Sequence, residues 1–257
     1  MQIAPTRLRH NFSKAASEYD ARADFQHVQT RRVLDAALML LPEKARVADI
    51  GCGTGYFVHA AKPLRPQWQV VGIDIAQGMC EIAATRCHAV VGDAAHLPLA
   101  TGSVDAAVSS LCYQWVENLP VAFAELARVL APGGRAIIAS LGAESLLELR
   151  DAAMRADVPL GLLTMRSNAQ VVDALNHAGF EVVMADCRAQ VEYYASVSAL
   201  MDSMRRIGAG NNFAPSARGM ISPKRWAALV SYYEQMRRPQ GIPATWEYQF
   251  FILQKSR

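Results

Sequence analysis

The segment Asp49-Ile50-Gly51-Cys52-Gly53-Thr54-Gly55 constrains this chain more than any other, because an apolar run (Val47, Ala48) enters it and a helical pattern (Tyr56, Phe57, Ala60, Ala61) leaves it. A strand, a glycine turn and a helix start, in that order, open a parallel α/β sheet. Glycine accepts positive φ and has no Cβ, so three glycines within five residues let the backbone approach a bound molecule closely. The helix that follows points its free N–H groups at the same place. Val70-Val71-Gly72-Ile73-Asp74 reads as the next strand, ending in a carboxylate about twenty residues on, where nucleotide-binding sheets hold ribose hydroxyls. A tight turn that binds nothing explains a lone glycine motif, but not the acid placed to match it.

The glycine spacing separates two cofactor classes. Dinucleotide-binding turns read G-x-G-x-x-G and seat a pyrophosphate on the helix. Here the spacing is G-x-G-x-G, and Asp49 stands two residues before the first glycine. A carboxylate there repels a pyrophosphate and suits a cofactor bearing an ammonium and a sulfonium, which is S-adenosyl-L-methionine. His88-Ala89-Val90-Val91-Gly92-Asp93-Ala94 is a third short strand whose Asp93 can accept the adenine amine, its plainer reading being an Asx turn. Ser103 to Ser110 is a fourth strand, nearly continuous in small and apolar residues as a doubly covered parallel strand must be. It runs into Leu111-Cys112-Tyr113-Gln114-Trp115, a loop expected to wall the pocket at the carboxyl ends of the strands.

The remaining pattern extends the same plan. Residues up to about Ala45 read as helical, with Val33, Ala37, Leu40 and Leu41 on an apolar face that ends at Pro42. Phe123, Leu126, Ala127 and Leu130 form the buried face of a helix before Pro132-Gly133-Gly134, and Arg135 to Ser140 is the fifth strand. Beyond it the alternation loosens. Leu146–Met154, Ala169–Ala178, Val197–Arg206 and Pro223–Arg237 are expected helices, and Phe180–Ala185 and Trp246–Leu253 expected strands.

Length and composition set limits. A chain of 257 residues accommodates one α/β core with an elaboration, and no second full domain. No run is apolar enough to span a bilayer and the polar, arginine-bearing N-terminus lacks a signal peptide's apolar core, so a cytoplasmic protein is expected. Its five cysteines are odd in number and scattered, which reads as reduced, buried thiols. The histidines lack metal-ligand spacing, so no metal is expected. From Met201 onward nine basic residues (Arg205, Arg206, Arg218, Lys224, Arg225, Arg237, Arg238, Lys255, Arg257) face three acidic ones, while the whole chain carries only +3. Such a basic region can steer an acidic protein, or be a solvated face. Without interleaved stacking aromatics it does not suggest nucleic acid.

These residues in this order resemble a class I S-adenosylmethionine-dependent methyltransferase, through the glycine turn, Asp74, Gly92-Asp93-Ala94 and Leu130-Ala131-Pro132-Gly133-Gly134. A narrower resemblance, to the biotin-pathway malonyl-acyl carrier protein O-methyltransferases, rests on Asn11 to Asp20, Gln26, Ser110-Leu111 to Gln114-Trp115, Arg205-Arg206-Ile207-Gly208-Ala209 and Pro243 to Tyr248. The segment Leu163 to Ala169 departs from that family: its Asn is displaced and its Phe absent. The resemblance implies a Rossmann-like, doubly wound, mostly parallel seven-stranded sheet with an antiparallel last strand and a helical cap over the acceptor pocket. One domain is then expected over 1–257, with a helical lid at 1–45, a cofactor core at 46–141 and an acceptor-side half at 142–257. The expected cofactor contacts are Asp49, Gly51, Gly53, Gly55, Asp74, Ile75, Met79, Asp93, Ala94, Ser110, Leu111 and Trp115.

The implied reaction methylates the free carboxylate of a malonyl thioester on acyl carrier protein or coenzyme A, by a monomeric enzyme. An ionised carboxylate needs no general base. A cation must select it, and Arg205 and Arg206 are the first candidates, with Arg150, Arg155 and Arg166 as alternatives. Tyr19 is expected at the reacting centre, against the sulfonium or the acceptor, or else packing the lid. The competing readings are a methyltransferase for a small diffusible acceptor (a quinone precursor or free carboxylic acid), an inactive cofactor-binding subunit, and, against the glycine spacing, an NAD-dependent oxidoreductase.

Overall fold

Short apolar runs separated by helical stretches can hide both of their faces only as parallel strands joined by crossover helices. In the computed structural model, which describes residues 5–207 and 221–256, seven strands form one sheet. They are β1 (Arg46–Ile50), β2 (Gln69–Asp74), β3 (His88–Val91), β4 (Val104–Ser110), β5 (Leu130–Leu141), β6 (Phe180–Tyr194) and β7 (Ile242–Lys255), in the order β3-β2-β1-β4-β5-β7-β6. β1 to β5 pair in parallel, and β7 inserts antiparallel between β5 and β6. This is the Rossmann-like, mostly parallel sheet with a reversed last strand that the sequence led us to expect. The order reverses between β1 and β4, which places the ligand crevice at their carboxyl ends.

The helices are α1 (Pro5–Tyr19), α2 (Asp24–Leu40), α3 (Tyr56–Ala61), α4 (Gln77–Ala83), α5 (Leu119–Val129), α6 (Leu147–Arg155), α7 (Asn168–His177), α8 (Val197–Arg206) and α9 (Pro223–Glu234). Alternation along the strands divides the core between the two faces. Val47, Ala106 and Val108 pack with Val33, Leu34 and Ala37 of α2 and with Phe57 of α3. Ala48, Ile50 and Ala107 pack with Phe123 and Leu126 of α5 and with Leu175 of α7. Each such large apolar side chain, once fully buried, contributes about 1.5–3 kcal/mol. No helix among the described residues is long and apolar enough to cross a membrane.

Three boundaries differ from the sequence reading. The N-terminal helical stretch is two helices, with a break between Tyr19 and Asp24. β5 begins at Leu130, which pairs with Val104 before the register shifts and Arg135 meets Ala106, so the Pro-Gly-Gly turn is a bulge within the strand. The β6–β7 pair is much longer than expected, running from Phe180↔Lys255 to Tyr194↔Ile242. Pro243 masks the start of β7, and β6 is an edge strand exposed along most of its length, so neither shows the alternation that marks a half-buried strand.

The far end of this ribbon carries a second core. Leu149 of α6, Leu200 and Met204 of α8, and Leu229 and Tyr233 of α9 pack with Ile242, Ala244 and Trp246 of β7. Buried Glu148 joins α6 to the strand, accepting hydrogen bonds from Thr245 N (2.9 Å) and Thr245 Oγ1 (2.5 Å). Glu148→Ala leaves both donors buried without an acceptor, at a cost of about 1–3 kcal/mol. A lower denaturant midpoint is expected, with Glu148→Gln recovering part of the loss because its amide oxygen still accepts.

Candidate active site

At the carboxyl ends of β1, β2 and β4 lies a cavity of about 530 Å³. Its sheet-side lining includes Gly51, Gly53, Asp74, Ile75, Met79, Asp93, Ala94, Ser110, Leu111 and Trp115, with Tyr19 from α1. Arg150, Tyr194, Ser203, Met204 and Trp246 line it from the cap.

Geometry explains the glycines individually. Gly51 has φ 74°, and a Cβ there would stand 2.4 Å from Cys112 Cβ. Gly53, at φ 53°, would aim a Cβ into open space, so its bare face is available to a ligand. Gly53 N–H donates to Asp74 Oδ2 (2.9 Å) and Ala76 N–H to Asp74 Oδ1 (2.8 Å). Burial raises the Asp74 pKa, and the N–H groups of Ala76, Gly53 and Ile75 work against that rise.

Two expected cofactor contacts do not line the cavity. Gly55, at φ 83°, caps α3, and its would-be Cβ lies 3.3 Å from Ala83 Cα, so it serves helix packing. Asp49 lies buried at the end of β1, where Oδ2 has no hydrogen-bond partner. Burial, and secondarily the Asp74 charge, push its pKa up to about 7. So placed, Asp49 lies outside the cavity lining. A nearby cation would favour ionisation of such a buried carboxyl. Asp93 lines the cavity, and its Oδ1 accepts from Ala95 N–H at 2.9 Å, which is the Asx turn of the plainer reading.

The first helix covers this end of the cavity. Phe12 meets the Trp115 ring edge-on at 5.6 Å, and Gly78 N–H donates to Ser13 Oγ at 3.2 Å. The junction to α2 is pinned on the glycine turn: Asp20 accepts from Thr54 Oγ1 (2.5 Å) and Arg86 Nη2 (2.8 Å). Burial works to raise the Asp20 pKa, yet these two hydrogen bonds hold it below the ordinary carboxylate range. Beside it, burial first, then Asp74 and Asp20, raise the Tyr19 pKa far above that of a free phenol. Tyr19 therefore stays neutral and can donate a hydrogen bond, not take a proton.

The two arginines first assigned to the acceptor are not in the cavity. Arg205 and Arg206 are exposed, and Arg205 pairs with Asp202 at 2.7 Å. Helical phase decides this, because α8 turns Leu200, Met201 and Met204 inward and its last basic pair outward. Gly208, Ala209 and Arg218 lie outside the described residues. Of the alternatives, Arg155 packs over the Tyr232 ring away from the site, whereas Arg150 and Arg166 line it. Sequence reading missed Glu192, Tyr194 and Ser203. Only the true length of β6 or the phase of α8 could have signalled them. Among the described residues, no group of three or more His, Cys, Asp or Glu is placed to hold a metal.

Comparison with known proteins adds to this geometry. Residues 48–138 match a methyltransferase domain family. The malonyl-[acyl-carrier protein] O-methyltransferase of Xylella fastidiosa is 36% identical over 93% of this chain and 84% of its own length. The enzyme of the same name from Herminiimonas arsenicoxydans is 35% identical over 98% and 96%. The biotin biosynthesis bifunctional protein BioHC of Saccharophagus degradans is 35% identical over 97% of this chain, which spans only 46% of that longer protein. Among solved structures, the YcgJ protein of Bacillus subtilis superposes with a TM-score of 0.62 at 16% identity, covering 88% of this chain and 99% of its own. The [4+2]-cyclase SpnF superposes at 0.56 and 21%, covering 88% and 80%. One fold thus serves different reactions, and the site must decide which.

Two outcomes test the cofactor side. Asp74→Ala is expected to weaken S-adenosylhomocysteine binding by about 1–3 kcal/mol in calorimetry, and unchanged affinity would dissociate β2 from the ribose. Asp49 is expected to show a pH signature. Between about pH 4, where the unfolded carboxyl ionises, and about pH 7, only the folded chain holds this proton. Its contribution to stability is therefore fully present below the unfolded pKa and is lost as pH rises to the folded one. Denaturation midpoints of the ligand-free protein should show this loss across the window, and Asp49→Asn should flatten it.

Proposed function

This chain belongs to the malonyl-[acyl-carrier protein] O-methyltransferase family, and from that premise we propose that it methylates the free carboxylate of a malonyl thioester on acyl carrier protein during biotin precursor synthesis. The observation that supports this most directly is a single cavity lined both by the glycine-turn and Asp74 site and by cap residues that include a half-buried arginine, Arg150.

The residues present fit S-adenosylmethionine: Gly53 offers bare backbone, Asp74 a preorganised carboxylate for the ribose, Asp93 an acceptor for the adenine amine, and Asp49 a buried carboxyl whose ionisation a cationic end would favour. When bound, the cofactor supplies a methyl group already activated by the sulfonium. What is left to the chain is alignment and the exclusion of water. Phe12 and Trp115 close the site from one side, and Leu111, Leu146 and Met204 from the others. No histidine or lysine is among the described lining residues. A carboxylate acceptor, ionised well below neutral pH, requires neither. Neutral Tyr19 contributes a hydrogen-bond donor rather than a base.

The acidic carrier is proposed to be met by exposed cations on the cap, Arg206 on α8 and Lys224 on α9, whereas Arg205 and Arg225 already pair with Asp202 at 2.7 Å and Asp157 at 2.6 Å. Labelled S-adenosylmethionine with malonyl-carrier, malonyl-coenzyme A and a small carboxylic acid distinguishes the acceptors. Malonyl-carrier is expected to be methylated most efficiently at low concentration. Its rate should fall as salt rises above about 0.1 M, where the screening length is about 10 Å. Reversing Arg206 and Lys224 to Glu should flatten that dependence. Equal salt response of carrier and coenzyme A substrates would remove the carrier from this reading, and preference for the free acid would favour a diffusible acceptor.

A further inference from the structure

We propose that Arg150 of α6 is the group that selects an ionised acceptor and lets the neutral product go. The proposal rests on the reading above, that the acceptor is a malonyl carboxylate. Arg150 lines the cavity one helical turn after Leu146, which also lines it. Its Nη2 donates to Leu163 O at 3.0 Å. Its Nε is buried and has no hydrogen-bond partner. No ion pair joins it to any carboxylate among the described residues; Glu144 acts on it only at longer range, and burial lowers its pKa.

The other cations of the cavity are differently placed. Arg22 is neutralised by Glu18 at 2.5 Å. Arg166 donates through Nη2 to Glu117 O at 3.1 Å, and none of its nitrogens is both buried and without a partner. Glu192, a carboxylate in the same cavity, accepts from Tyr194 Oη at 2.8 Å. A half-buried guanidinium held by one carbonyl, with a donor unused and no counter-charge in contact, is a place for an anion from outside.

The reaction changes what Arg150 feels. Methyl transfer forms one carboxylate oxygen–carbon bond and breaks the methyl–sulfur bond, whose electron pair remains on the sulfur of S-adenosylhomocysteine. No proton moves. The acceptor passes from anion to neutral ester, so the charge-assisted contact exists for substrate and vanishes for product.

Equilibrium binding of malonyl-carrier and of its methyl ester to the S-adenosylhomocysteine complex tests this. The wild-type protein is expected to prefer the free acid by about ten- to hundredfold. Arg150→Met should bring the two affinities to within about twofold, and Arg150→Lys should keep part of the preference, while S-adenosylhomocysteine binds all three proteins alike. A wild-type preference retained in Arg150→Met overturns the proposal. So does an equal weakening of both ligands, which is what a role confined to holding Leu163 would give. Failure of the underlying reading shows separately, as a wild-type protein that transfers no labelled methyl to malonyl-carrier.

Discussion

The hydrogen bond from Gly53 N–H to the Asp74 carboxylate is the joint on which this site is built. It ties the glycine turn after β1 to the end of β2, which Gly51 N–H and Cys52 N–H also grip through Ile73 O at 2.7 and 3.0 Å. Neither strand end alone would hold a ligand. Joined, they present bare backbone on one side and an oriented carboxylate on the other, at the reversal of strand order. The lid depends on the same joint, because Asp20 reaches Thr54 in the turn and Arg86 beyond α4. A displaced turn would therefore loosen the junction that follows Tyr19.

Charge divides the cavity between two tasks. Asp49, Asp74 and Asp93 stand around the glycine turn, where burial makes ionisation of the first two costly unless a cation shares the site. Arg150 stands on α6 without a contacting carboxylate. Acids on the sheet and an unpaired cation on the cap suit a positively charged donor and a negatively charged acceptor drawn into one water-poor space.

The acceptor wall depends on a ribbon rather than on the sheet proper. Beyond Tyr248, the last residue of β7 paired with β5, β7 continues toward Ile242 with β6 alone, and this extension bears Trp246, Tyr194 and Glu192. A two-stranded extension is marginal by itself. Here α6, α8 and α9 cover one of its faces, through Leu149, Leu200, Met204, Leu229 and Tyr233. Glu148 and Thr245 lock the first of those helices onto the strand.

The sequence by itself determined the parallel core, the glycine turn, Asp74 and the pocket loop. These depend on local periodicity and on residues whose conformational demands are their own: glycine at positive φ, an acid at a strand end, an apolar run bounded by turns. Tertiary structure decided the rest. Asp49 reads as a contact in the sequence and is buried away from the cavity lining, a placement set by packing and not by residue order. Gly55 reads as a ligand glycine and is a packing glycine, because Ala83 occupies the space beside it. Arg205 and Arg206 lie beside a plausible turn, yet the apolar residues of α8 claimed the interior and left them in solvent. Arg150 could be chosen from among the arginines only after folding, since a buried donor without a partner is a property of three-dimensional neighbours and leaves no trace in residue order.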